Sequence, residues 1–158
     1  MAFQIYVIAS SFYEDICARQ IEYAENTLRS GVSTLGISVS EIQVKTLKIK
    51  GSLELPFVTK AICESYEKKP KENGEKLLGV VVLGCIIKGE TNHFEIISNS
   101  VSNNLVQLSL EYNVPITSGV LTVTNKKQID ERTNGGPKDR AIEAAKSLLE
   151  LITITGSL

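Results

Sequence analysis

Leu77-Leu78-Gly79-Val80-Val81-Val82-Leu83-Gly84-Cys85-Ile86-Ile87 is the longest apolar run of the chain, and it leads directly into Lys88-Gly89-Glu90-Thr91-Asn92-His93-Phe94-Glu95. A nearly continuous hydrophobic stretch without polar alternation is the pattern of a strand buried on both faces. Residues 77–87 are therefore expected to form the central strand of a parallel sheet. The run is interrupted by Gly79 and Gly84 and is too short to cross a bilayer. Beyond it, Phe94, Ile97, Val101, Leu105 and Leu108 recur at helical spacing, and Asn113 and Pro115 close that helix.

Working outward, Gln4–Ser10 reads as a buried strand, and Cys17, Ile21, Ala24 and Leu28 as the face of a helix stopped by Gly31. Ile42–Ile49 is β-branched-rich, with Ile42 and Val44 on one face and a change of phase at Leu47 and Ile49; it is a second strand. Pro56 suits the first turn of the next helix, which carries Val58, Ile62 and Tyr66 and ends before Pro70. Pro70 to Lys76 is a polar loop. Ile116–Val123 is a fourth strand, followed by a short helix over about Lys126–Arg132, the loop Asn134-Gly135-Gly136-Pro137, and a last helix through Ile142, Ala145, Leu149 and Ile152. Strands alternating with helices imply right-handed crossovers and an α/β, three-layer sandwich: a four-stranded parallel sheet with helices on both faces. The length of 158 residues fits a single domain spanning 1–158.

Seventeen basic residues against eighteen acidic ones give a formal charge of −1, with no basic patch for nucleic acid. Met1-Ala2-Phe3-Gln4 has no basic n-region, and Ile5 to Ala9 is too short for a signal h-region. Cys17, Cys63 and Cys85 show no CxxC spacing, and His93 is the single histidine, so neither a disulfide framework nor a histidine-rich metal site is indicated. These features describe a reduced, cytoplasmic protein without a membrane segment.

In a sheet of this class ligands lie beyond the carboxyl ends of the strands. Those segments are Ser10-Ser11-Phe12-Tyr13, Gly51-Ser52-Leu53-Glu54-Leu55-Pro56, and Lys88 to Glu95. Gly89 and Thr91 open the long helix, whose unpaired N–H groups and dipole suit a phosphate; the same residues also read as an ordinary polar helix start. His93 is either a proton-transfer group or a surface histidine. Glu54 could accept hydrogen bonds from polyol hydroxyls or simply favour a helix dipole. Phe12 offers a stacking face or a core contact. Arg132 and Arg140, with Lys138, flank the glycine-containing loop as a phosphate clamp or as solvated charges. Neither a Walker loop nor GxGxxG after the first strand is present.

Taken together, GSLELP, LGCIIKGETNHFE, PITSGVLT and DERTNGG…EAA resemble lumazine synthase in order and spacing from about Ile5 to Leu151. The strand followed by G-x-x-I-[RK]-G-[AE]-T-x-H-[FY]-[DE] is reproduced from Gly84 to Glu95. The resemblance implies a flavodoxin-like fold and condensation of 5-amino-6-ribitylamino-2,4-pyrimidinedione with 3,4-dihydroxy-2-butanone 4-phosphate, with neither cofactor nor metal. It places Phe12 against the pyrimidine ring, Ser52 and Glu54 on the ribityl chain, and Ile86 and Lys88 at the pyrimidinedione edge. It further places Glu90 and Thr91 at the phosphate turn, His93 at proton transfer, Ser118 and Arg132 in the pocket of a neighbouring subunit with Arg132 on the phosphate of the second substrate, and Arg140 among the substrate-binding residues of the last loop.

The chain departs from the family at Ser11 and Tyr13, which flank the aromatic where arginine and asparagine are usual, at Ser118, and at Arg140 in place of a lysine. It also begins almost at its first strand, without most of the N-terminal strand that many members add to a neighbour. That feature and Pro137 favour a ring of five subunits over a sixty-subunit shell. The alternatives from other classes are a non-catalytic flavin- or lumazine-binding relative and a shell-forming one.

Overall fold

The computed structural model describes residues 2–68 and 74–158. Four strands, β1 (Phe3–Ser10), β2 (Ile42–Ile49), β3 (Lys76–Ile87) and β4 (Ile116–Val123), form one parallel sheet in the order β2-β1-β3-β4. The apolar run is β3, an interior strand as expected, with Val80, Val81, Val82 and Leu83 fully buried. It starts at Lys76, one residue into the segment expected as a loop; residues 69–73 of that segment lie outside the described residues.

The chain leaves β1 toward β2 and then returns across it to β3. Right-handed crossovers in opposite directions place their helices on opposite faces. Accordingly α1 (Glu14–Gly31) and α5 (Arg140–Gly156) cover one face, around Ile5, Val7, Val81 and Leu83. Helices α2 (Leu55–Glu67) and α3 (His93–Tyr112) cover the other, around Ile8, Val80 and Val82. A short helix, α4 (Lys126–Arg132), joins β4 to the loop before α5.

Helix α5 sits close to the sheet because its inner face is Ala141, Ala144, Ala145 and Leu148 and because two strand glycines make room. A Cβ at Gly119 would stand 2.8 Å from Leu83 and 3.1 Å from the Arg140 carbonyl, and one at Gly79 2.6 Å from Leu148. In β2 the apparent change of phase is regular alternation with cover on both sides: Ile42 and Val44 pack under α1, Ile49 on the α2 side. The α-helix ends at Gly31, as expected. The chain continues as a 3-10 turn over Val32–Leu35 and turns at Gly36, whose φ of 70° is open to glycine without strain. Helix α3 begins at His93, later than the expected opening at Gly89 and Thr91, and ends at Asn113 in the left-handed conformation, φ 50°.

Gln20, polar and unremarked in the helical periodicity, is fully buried on α1. Its Nε2 donates to the carbonyls of Gly84 on β3 at 2.9 Å and Gly119 on β4 at 3.2 Å, bridging two strands; its Oε1 is buried without a partner. Gln20→Glu, isosteric but acidic, would set a carboxylate against two carbonyl oxygens. We expect it to destabilise the fold by about 3 kcal/mol or more at pH 7. The buried carboxyl has a raised folded-state pKa, so protonation below the unfolded value near 4.3 removes the penalty, which grows as pH rises above it. Denaturant unfolding of the variant and parent chains at pH 4 and pH 7 checks both magnitude and sign.

Candidate active site

The switch in strand order opens the sheet at the carboxyl ends of β1 and β3. Pairing of β1 with β3 ends at Ala9↔Leu83, whereas β3 with β4 runs on to Ile87↔Val123. Residues 84–87 therefore overhang β1 and present strand backbone that β1 does not use. A cavity of about 430 Å³ lies at this overhang, within the size range of roughly 300–1,000 Å³ usual for small-molecule sites. Ile86, Cys85 and Ile87 form its floor, Phe12 and Tyr13 one side, the Gly51–Glu54 turn another, and His93 with Ile97 the α3 side.

Hydroxyl groups fasten the loops that carry these side chains. Ser11 donates from both N and Oγ to the Ile49 carbonyl, at 2.7 and 3.1 Å, tying the end of β1 to the end of β2. Ser52 Oγ donates to Ser10 Oγ at 3.1 Å, and Ser10 Oγ to the Lys50 carbonyl at 3.2 Å. A Cβ at Gly84 would touch Ser10 and Ser52 at 3.3 Å, so this glycine lets the two loops meet over β3. Glu54 is the N-cap residue of α2, yet its carboxylate makes no capping bond and takes no hydrogen bond or ion pair among the described residues. The His93 ring is likewise without a hydrogen-bond partner among them; only its backbone N–H is engaged, by Thr91 Oγ1 at 3.3 Å. A carboxylate and an imidazole facing one cavity, both unengaged, are groups available to a ligand. Cys85 differs: burial pushes its thiol up to about 11, so near neutrality it lines the floor as a protonated, weakly polar wall.

Five sequence-predicted residues, Phe12, Ser52, Glu54, Ile86 and His93, share the cavity. Lys88 stands at its margin, its N–H committed to the Val123 carbonyl at 2.9 Å and its ammonium 3.9 Å from Glu95. Glu90 and Thr91 are exposed on the turn before α3. Ser118, Arg132 and Arg140 do not line this cavity. Ser118 is exposed on the edge strand β4; Arg132 ends α4, its guanidinium 3.7 Å from Glu131; Arg140 starts α5, 2.7 Å from Glu143. Between the two arginines the loop is held by Asp139, whose carboxylate accepts from the N–H groups of Gly135, Ala141 and Ile142 at 2.9 to 3.1 Å. Arg19 on α1 adds a bond to the buried Thr133 at 3.2 Å. Tyr13, Leu53 and Cys85 also line the cavity as sequence neighbours of Phe12, Glu54 and Ile86, and Ile97 does so one helical turn beyond His93.

A family model described as 6,7-dimethyl-8-ribityllumazine synthase matches residues 2–155. The chain belongs to the 6,7-dimethyl-8-ribityllumazine synthase family. Among curated relatives, the 6,7-dimethyl-8-ribityllumazine synthase of Leuconostoc mesenteroides is 35% identical over 151 residues, covering 96% of this chain and 87% of its own length. That of Buchnera aphidicola is 33% identical over 146 residues, with 90% and 86% covered. The matched region includes every element that lines the cavity, among them the segment that crosses from the floor at Ile86 to the α3 side at His93.

A methyl group at Gly51 would collide with the Glu54 carboxylate, the movable end of an exposed side chain. Gly51→Ala is therefore expected to displace that carboxylate while altering unfolding free energy by less than about 1 kcal/mol. A crystal structure of the variant with a denaturant titration checks this; an unmoved carboxylate or a large loss of stability would contradict it.

Proposed function

We propose that the chain is a single-domain 6,7-dimethyl-8-ribityllumazine synthase over residues 1–158, acting in riboflavin biosynthesis in the cytoplasm. It condenses 5-amino-6-ribitylamino-2,4-pyrimidinedione with 3,4-dihydroxy-2-butanone 4-phosphate, releasing inorganic phosphate and water. The observation that carries this reading is the one cavity shared by an aromatic ring, an unengaged carboxylate and an unengaged imidazole at the overhang of β3.

Phe12 stacks on the pyrimidine ring, and Ser52 and Glu54 hold the ribityl hydroxyls. Ile86 and Lys88 meet the pyrimidinedione edge through backbone groups; because the Lys88 N–H is used by Val123, its carbonyl is the group left for this. Glu90 and Thr91, with the first N–H groups of α3, receive the phosphate of the second substrate. An amine of the pyrimidine attacks the ketone, a carbinolamine loses water to give an imine, phosphate is eliminated to leave an enol that tautomerises to a ketone, and the second amine adds to that ketone and loses a second water to close the ring. His93 moves protons in these steps, and holding the two reactants in register supplies much of the rate.

Ser118, Arg132 and Arg140 act in the site of a neighbouring copy, in a cyclic and heterologous assembly. A ring of five is the unit we favour over a sixty-subunit shell. Support comes from the separation of these residues from the chain's own cavity and from apolar side chains left exposed on the α2 and α3 side: Phe57 (76%), Ile96 (64%) and Leu110 (74%).

Mixing both substrates with the protein should produce lumazine fluorescence; a protein that binds but never produces it would be a carrier. His93→Ala should slow turnover by about 100-fold or more with pyrimidine affinity largely kept, leaving a residual rate from proximity. Steady-state kinetics decides, and unchanged turnover under chemistry-limited conditions rules out the role. Arg132→Ala should raise the KM of the keto-phosphate much more than that of the pyrimidine. The mass in solution should be about 87 kDa, five times the 17.3 kDa chain; a monomer would remove the shared site.

A further inference from the structure

Lys50 follows β2 directly, and its Nζ stands 6.0 Å from the centroid of the Phe12 ring. Tyr13 meets the same ring edge to face, with centroids 5.0 Å apart and planes at 79°. Phe12 is otherwise poorly fixed, with 58% of its surface exposed. The approach of Lys50 is set by backbone: Ser10 and Ile49 are register partners at the ends of β1 and β2, Ser11 binds the Ile49 carbonyl twice, and Ser10 Oγ binds the carbonyl of Lys50 itself. Among the described residues no carboxylate pairs with the Lys50 ammonium, so its charge is not neutralised before it reaches the ring.

We infer that Lys50 is a positioning and specificity residue for the pyrimidine, acting through Phe12 on which its ammonium rests. The inference depends on the stacking role proposed for Phe12. A cation over an aromatic face is attracted by the ring quadrupole and draws π-density toward itself. It therefore holds an exposed ring in one orientation and leaves the remaining ring surface poorer in electrons. That surface favours an electron-rich partner, and a pyrimidinedione bearing two amino nitrogens is one. The keto-phosphate has no ring and gains nothing from the contact.

The test is a double-mutant cycle on the assembled enzyme, using Lys50→Met, Lys50→Arg, Phe12→Leu and the Lys50→Met/Phe12→Leu pair, with KM measured for each substrate. Lys50→Met should raise the KM for the pyrimidine about two- to fivefold and leave that for the keto-phosphate unchanged, the range expected of one exposed cation–π contact. Lys50→Arg should restore the parent value. In the Phe12→Leu background Lys50→Met should have no further effect. An equal rise for both substrates, or the same rise without the ring, would overturn the inference and assign Lys50 to general electrostatics. So would no rise where Phe12→Leu itself raises the pyrimidine KM. Should Phe12→Leu leave pyrimidine KM unchanged, the stacking role fails and takes this inference with it.

Discussion

The apolar side chains of β3 have no polar face to turn toward water, so the strand must be covered twice, and the rest of the molecule is arranged to do it. Helices α1 and α5 close over Val81 and Leu83, and α2 and α3 close over Val80 and Val82. Burying four such side chains completely is worth several kcal/mol, at roughly 1.5–3 kcal/mol each. Opposite cover requires connections that leave β1 in opposite directions, and that divergence is what prevents any helix from closing the carboxyl end of the sheet. The cavity is thus a consequence of how the core is covered.

Within that opening, polar atoms divide into those spent on structure and those left over. The hydroxyls of Ser10 and Ser11 are used to tie the ends of β1 and β2 to one another, and Ser52 commits its proton to Ser10 while its lone pairs, among the described residues, stay free to accept. The Glu54 carboxylate and the His93 imidazole stand beside them with no such duty among the described residues. Glutamate is longer than the side chains that favour the N-cap position, so the Glu54 carboxylate reaches away from the helix start and stays available to a ligand. The fixed loops and unengaged groups together make a preorganised site, in which little reordering is needed when a ligand arrives.

Legibility in the sequence followed the range of the interaction. The β3 run, the α3 spacing and the Pro56 start of α2 are local patterns, and each matched its element to within a few residues. The span of β2 was legible despite its broken alternation, and the change of face after Val44 reflects an edge strand with apolar neighbours on both sides. Gly31 ends α1 as its sequence position suggests, and the left-handed turn beyond it falls at Gly36. Gln20 gave no local sign of burial, since its two acceptors lie 64 and 99 residues away. Of the site, Phe12, Ser52, Glu54 and His93 sit in the segments that follow strands, where the fold class puts ligands, and Ile86 lies at the end of β3 itself. Lys50 also follows a strand, but its relation to Phe12 depends on the register of β1 against β2, which periodicity does not reveal.

The arginine-bearing loop follows a different logic from the cavity. It is rigid before any partner is present: Asp139 gathers three backbone N–H groups, Arg19 clamps Thr133, and Gly135 at φ 77° packs under Tyr23 where a Cβ would stand 2.7 Å from the ring. Its cations are only partly neutralised, because Arg132, Lys127 and Lys138 all lie within 4 Å of the single carboxylate of Glu131. Three positive charges on one negative charge leave an excess that water screens well at an exposed edge and poorly once the edge is covered. The loop thus carries surplus positive charge at the margin of the sheet, whereas the cavity is lined by the Phe12 ring, the Glu54 carboxylate and the His93 imidazole and by no arginine.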